Sequence, residues 1–260
     1  MSHRKPSRPL AVLAVLALAL AGCASPAATP AGGSPTPGRA GDGPLAGITV
    51  AIDPGHNGGN AEHPEVIDAQ VDVITKKKPC DTTGTETDDG YAEHAFNWDV
   101  AARLRELLEA QGATVLMTRA DDNGVGPCIT DRTATTNKAD VAVSIHADGG
   151  SKEGHGFHIM EPVLIKGHTD DIVQPSHELA LAIRDAYQDG TGLSPANYIG
   201  DHGINPRDDM GGLNLSEVPK VMVECGNMRN KGDADKLTDP GWRQRAAQSL
   251  AAGITAFLKR

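Results

Sequence analysis

The sequence predicts an α/β domain, a single unit with a largely parallel or mixed central sheet flanked by helices. Three observations predict it. Short β-rich runs at 48–52, 114–118 and 141–145 end in turns or polar residues. Stretches of helical period separate them. The folded part, about 46–260, has the length expected of one domain.

The elements follow in chain order. Residues 1–9 carry Arg4, Lys5 and Arg8 and no acid, and an apolar run follows from Leu10 to Ala21. That run is shorter than the roughly 20 residues a spanning helix needs, so it reads as a secretory signal. It ends Leu20-Ala21-Gly22-Cys23, which resembles a bacterial lipobox. Residues 1–23 are therefore expected to be a lipoprotein signal peptide, with Cys23 lipidated as the mature N-terminus. Residues 24–45 are mostly Ala, Pro, Gly, Ser and Thr, which cannot bury enough surface to offset their ordering entropy. They are expected to be a disordered tether holding the domain off the membrane.

Ile48-Thr49-Val50-Ala51-Ile52 is a strand feeding the turn Asp53-Pro54-Gly55. Residues 57–92 read as a long polar loop, and loops of that length are usually functional or mobile. From Glu93 to Gln111, Phe96, Val100, Leu104 and Leu107 or Leu108 recur at helical spacing, and Gly112 stops the helix. Strands are expected at 114–118 and 141–145, the latter ending at His146, with a short helix at 129–138 between them. A further strand is expected at 157–160, a helix at 176–189 on Leu179, Ile183 and Tyr187, and a late strand at 221–224. Pro240 opens the last helix, whose stripe is Ala246, Leu250, Ile254 and Phe257.

Composition narrows the function. The net charge is −10, and removing residues 1–23, which hold three basic side chains and no acid, takes it to −13. That excludes nucleic acid, which wants a basic face, and a polybasic membrane patch. Two Trp, three Tyr and three Phe are too few for a separate module that stacks aromatics on sugars. No protein partner is implied, and the chain is expected to be a monomer. Beyond Cys23 there are Cys80, Cys128 and Cys225. Cys225 lies in an apolar run and reads as a packed thiol. Cys80 and Cys128 lie in loops and are the expected disulfide of an exported protein, although sequence alone does not fix connectivity.

Three candidate ligands share one rim. His56 follows the first strand's turn, His146 ends another strand, and Glu93 begins the first long helix. Sites in open α/β sheets form beyond the carboxyl ends of strands. Two His and one Glu are a known catalytic zinc set that leaves a position for water. Singly each has a plainer reading: an exposed His after a turn, or an acid favoured by a helix start. His94, His155 and His158 compete as ligands. Glu224 closes the apolar run Val221-Met222-Val223, where an unpaired carboxylate is costly. Either it pairs with a base such as Arg119 or Arg132, or it faces the metal as general base. Arg207 and Asn214 are possible cleft residues without an assigned role.

Taken together, Asp53-Pro54-Gly55-His56-Asn57-Gly58, Glu93 opening a helix, Ser144-Ile145-His146-Ala147-Asp148 and Val223-Glu224-Cys225-Gly226-Asn227 resemble the zinc-dependent N-acetylmuramoyl-L-alanine amidases of the amidase 3 family. The resemblance spans about 46–260 and is strongest to compact mycobacterial members, through Gly90-Tyr91-Ala92-Glu93-His94 and Gly226-Asn227-Met228. It implies one Zn2+ on His56, Glu93 and His146, Glu224 as the catalytic base, and a loop disulfide at Cys80–Cys128. It also implies hydrolysis of the bond between muramic acid and L-alanine in peptidoglycan, while the lipobox resemblance at Cys23 implies a lipid-anchored membrane position facing the wall. The long 57–92 segment departs from many relatives. The same chemistry would serve a zinc carboxypeptidase or endopeptidase of the stem peptide. A catalytically silent lipoprotein that binds wall fragments would have no need of Glu224.

Overall fold

The computed structural model describes residues 43–260. The expected signal peptide, Cys23 and most of the expected tether lie outside the described residues. The six-stranded sheet runs in the order β4-β1-β5-β8-β6-β7. Its strands are β1 (Thr49–Pro54), β4 (Thr114–Met117), β5 (Val141–Asp148), β6 (His158–Pro162), β7 (Ile204–Arg207) and β8 (Lys220–Asn227). β4, β1, β5 and β8 are parallel, β6 is antiparallel to β8, and β7 is parallel to β6, so the sheet is mixed. The central strands β1, β5 and β8 are buried nearly throughout because helices or loops cover both faces.

One face carries α2 (Glu93–Glu109), α4 (Val173–Thr191) and α7 (Pro240–Leu258). Phe96, Val100 and Leu104 of α2, Leu179, Ile183 and Tyr187 of α4, and Trp242, Leu250 and Ile254 of α7 are buried together against Val50, Ile52, Val143, Ile145 and Val223 of the sheet. This is the stripe that helical spacing predicts. The other face is thinner, covered by α3 (Ile129–Thr136) and the one-turn α5 (Gly211–Asn214), with small apolar clusters around Ala51 and Ala142 and around Met160 and Met222. Among the described residues no helix is long and apolar enough to cross a membrane.

Several elements differ from the sequence expectation. Residues 57–92 are not a plain loop. They hold a 3-10 turn at Asn60–Glu62, the short α1 (Pro64–Ile67), and a hairpin of β2 (Gln70–Asp72) and β3 (Lys77–Pro79). Pieces this short leave no periodicity to read. β7 and α6 (Lys231–Leu237) were equally silent; α6 is opened by Asn230, whose side chain accepts from the Gly232 and Asp233 N–H groups. The domain also starts earlier than residue 46. Leu45 is buried in the main core and its N–H donates to the Gln111 carbonyl at 2.9 Å. His146 does not end its strand, since β5 continues past it to Asp148 through an irregularity in the pairing with β8.

Candidate functional site

At the carboxyl end of the parallel strands, the last residues of β1 and β5 meet the first turn of α2. His56 follows β1 at φ +59°, in the left-handed region, and its carbonyl accepts from Arg132 at 2.9 Å. A non-glycine residue held there is a strain that surrounding structure must sustain. Glu93 is the first residue of α2, buried, with His56 Nε2 3.2 Å and His146 Nδ1 2.9 Å from its Oε1. Gly55 makes this possible, because a Cβ there would run into the His146 ring.

The three side chains offer one ligand atom each, all within 4.8 Å of one another. Atoms bonded at about 2.0–2.1 Å around a tetrahedral zinc stand roughly 3.3 Å apart, close to the 3.2 and 2.9 Å that separate the His56 and His146 nitrogens from Glu93 Oε1. The donor set, two imidazoles and a carboxylate, suits zinc equally well. Glu93 is further fixed by the Thr85 N–H at 2.9 Å on Oε2 and by Asn97 Nδ2 at 3.3 Å on Oε1.

Burial works against a charge on His56, but Glu93 and Asp81 outweigh it and raise its pKa to about 10. Burial likewise opposes the charge on Glu93, and the two imidazoles overcome it and hold the carboxyl well below its ordinary value. The site therefore attracts positive charge, either a proton or a metal ion.

Glu224 lines the same cleft as His56, Glu93 and His146, and one of its oxygens is buried with no hydrogen-bond partner. Burial first, then Glu93 and Asp148, push its pKa well up, with His56 and Arg207 pulling the other way. Neither expected base pairs with it. Arg119 is engaged by Asp122 at 2.9 Å, and Arg132 by Asp53 and Asp81 at 3.1 Å each. Cys225, the next residue along β8, is buried in the core on the helical face, and burial pushes its thiol up to about 12, so it is an inert packing residue.

The competing histidines go elsewhere. His94 Nδ1 lies 2.8 Å from Asp122, and His158 is buried with Nε2 3.3 Å from Asp148, which also accepts from the Tyr198 hydroxyl at 2.8 Å. His155 is exposed. Arg207 is paired with Asp209 at 2.7 Å. Asn214 is buried and donates to the Val73 and Asp208 carbonyls, which docks the β2–β3 hairpin rather than lining the cleft. Cys80 and Cys128 are joined by a disulfide. The sequence does not single out Asp148 and Asp81, which contact His158 and His56: Asp148 stands in a motif without a role of its own, and Asp81 carries no local signal.

The chain is similar to known proteins of one family. A family model described as N-acetylmuramoyl-L-alanine amidase matches residues 50–256. The chain is 39% identical over 225 residues to the N-acetylmuramoyl-L-alanine amidase Rv3717 of Mycobacterium tuberculosis, covering 82% of this chain and 88% of that one. It is similar in structure to the N-acetylmuramyl-L-alanine amidase Ami1 of Mycobacterium smegmatis, with TM-score 0.77, 42% identity, and coverage of 83% of this chain and 98% of that one. Against the apo Ami1 of Mycobacterium abscessus the TM-score is 0.76 and the identity 43%, over 82% and 99% of the two chains. With a family model matched over most of its length, and relatives this similar across the whole described domain, the chain belongs to the amidase 3 family of N-acetylmuramoyl-L-alanine amidases.

Proposed function

We propose that the chain is a peptidoglycan amidase that hydrolyses the amide between the lactyl group of N-acetylmuramic acid and the L-alanine of the stem peptide, with His56, Glu93 and His146 as zinc ligands and Glu224 as the proton carrier. The observation that carries this reading is the convergence of the three ligand atoms beside the unpartnered oxygen of Glu224. A zinc ion on His56, Glu93 and His146 would supply Lewis acidity, lowering the pKa of a water toward about 7 and stabilising developing negative charge.

The protein's own residues do the rest. Glu224 accepts the proton of the attacking water at its free oxygen and returns it to the departing alanine nitrogen. Asn97, the Thr85 N–H and the Ala147 N–H fix the Glu93 carboxylate against rotation. The cleft continues past the site along Thr82, Thr83, Gly84 and Thr85 on one side and Asp148 and Gly149 on the other, which gives an extended polar substrate a path.

Mass spectrometry of muropeptides digested by the full chain tests the reaction. The expected products are a peptide with a free L-alanine amine and an intact glycan. A cut within the stem peptide would instead identify a peptidase. Elemental analysis of the same sample is expected to give one zinc per chain.

Residues 1–23 as an export signal, Cys23 as the lipid attachment site and the following Pro/Gly/Ala/Ser/Thr segment as a tether complete the proposal, placing the enzyme on the membrane facing the wall. Radiolabelled fatty acid should be incorporated by the wild type and lost in Cys23→Ser. An unlabelled wild type would end the anchoring part.

A further inference from the structure

His56 is held at both nitrogens. Nε2 faces Glu93 at 3.2 Å. Nδ1 faces a small acceptor cluster: the Thr82 carbonyl at 3.1 Å, Thr82 Oγ1 at 3.2 Å and Asp81 Oδ1 at 3.3 Å. Of these groups only Asp81 carries charge, and it is buried.

The placement of Asp81 is fixed from several directions. Its Oδ1 also accepts from the Thr82 N–H at 2.7 Å, and its Oδ2 accepts from Arg132 at 3.1 Å. The same Arg132 guanidinium donates to the His56 carbonyl at 2.9 Å and to the Pro54 carbonyl at 2.8 Å, so one cation ties the backbone of His56 to the carboxylate facing its ring. Gly126 leaves room for this pair, since a Cβ there would stand 2.6 Å from the guanidinium and 3.1 Å from Asp81 Oδ2. The neighbouring Cys80 is bridged to Cys128, and its carbonyl accepts from the Ile129 N–H at 2.9 Å at the start of the helix that bears Arg132. An ion pair with Arg132 alone would use only Oδ2. Oδ1 serves two partners, the Thr82 N–H at 2.7 Å and the imidazole Nδ1 at 3.3 Å, and the second is the contact that reaches the site.

Metal-bound histidines nearly always donate their second ring N–H to a carboxylate or carbonyl, which fixes tautomer and ring orientation. We propose that Asp81 is a positioning residue of the metal site: clamped by Arg132 and anchored beside the Cys80–Cys128 bridge, it keeps the His56 proton on Nδ1, so that the Nε2 lone pair faces Glu93 and the metal position. The inference rests on the metal-site reading above.

The test uses the full chain, with zinc affinity measured by chelator competition and cobalt(II) absorption as a report of ligand geometry. Asp81→Ala is expected to weaken zinc binding about 10–100-fold and to shift the cobalt spectrum. Asp81→Asn is isosteric and keeps an accepting oxygen, so it should lose less affinity than Asp81→Ala, and it keeps the test decisive if the alanine variant does not fold. Melting of the metal-free proteins is recorded in parallel. Wild-type zinc affinity and an unchanged cobalt spectrum in the folded variants, with or without a lower melting temperature, would overturn the proposal, because the Thr82 carbonyl would then suffice and Asp81 would be only structural. Absence of zinc binding by the wild type would instead remove the metal reading, and this inference with it.

Discussion

At Glu224 one carboxylate oxygen is buried without a partner, a cost that a folded protein tolerates where the atom has work to do. Glu224→Gln removes proton transfer while keeping shape. It should leave zinc content unchanged and lower muropeptide turnover by about 10²–10⁴-fold; full turnover at normal zinc content would end the role assigned to this residue. Gly55 is the complementary case, a residue with no chemistry whose missing Cβ gives the His146 ring its place. Gly55→Ala should therefore fold but lose zinc in equilibrium dialysis, and a variant that retains zinc at wild-type affinity would show that the ring can shift without harm. His56, Glu93, His146 and Glu224 were legible as candidates because each stands at the edge of a readable run: His56 after the first strand's turn, Glu93 at a helix start, His146 and Glu224 at the close of apolar runs. Asp81 was not, because it sits in a segment without period, and its partners lie 25 and 51 positions away.

Among the elements, the segment from Asn60 to Pro79 shows how a part that looks like loop gains structure. Its strands are three residues each and none of their side chains is buried, so no alternation accumulates. It is held by tertiary ties instead: Asn214 to the Val73 carbonyl, Cys80 to Cys128, and the Cys80 N–H to the Ala69 carbonyl. The disulfide closes a loop of 48 residues. Loop-closure entropy for that length gives a stabilisation of about 4 kcal/mol. Cys80→Ala/Cys128→Ala should lower the unfolding free energy by an amount of that order in urea titrations. A change under about 0.5 kcal/mol, the level of an ordinary surface substitution, would mean the hairpin's other ties suffice. The long helices, by contrast, were predictable to within a few residues because α2, α4 and α7 each lay an apolar stripe on the sheet.

Across the whole molecule, one buried cluster joins most of the sheet to its thinner cover. Asp53 at the end of β1 accepts from Ser144 of β5 at 2.7 Å, from Thr118 after β4 at 2.7 Å, and from Arg132 of α3 at 3.1 Å, and lies 3.5 Å from Lys220 of β8. Burial opposes its charge, but Lys220, Arg132 and the two hydroxyls prevail and hold its pKa far below the usual range. A carboxyl depressed on folding contributes stability that is complete above its unfolded pKa, about 3.9, and that fades as pH falls below it toward the folded value. Asp53→Asn leaves two buried cations short of a partner and should cost about 3–5 kcal/mol at pH 7. The gap between wild type and variant should narrow below about pH 4. Denaturation curves at both pH values check this, and a gap that is equal or wider in acid would contradict the assigned charge state.

The sequence by itself determined the fold class, the order of the long elements and the four polar residues at the rim, since periodicity, turns and a costly carboxylate in an apolar strand are local signals. Tertiary structure alone decided which atoms converge, that the competing histidines 94 and 158 are satisfied by Asp122 and Asp148, that the packed domain includes Leu45, and that Asp81 stands behind His56. The physical reason is range. A hydrophobic stripe is written within one element, whereas ligand geometry and the support behind it are set by side chains that only the packed sheet and its loops bring within hydrogen-bonding distance.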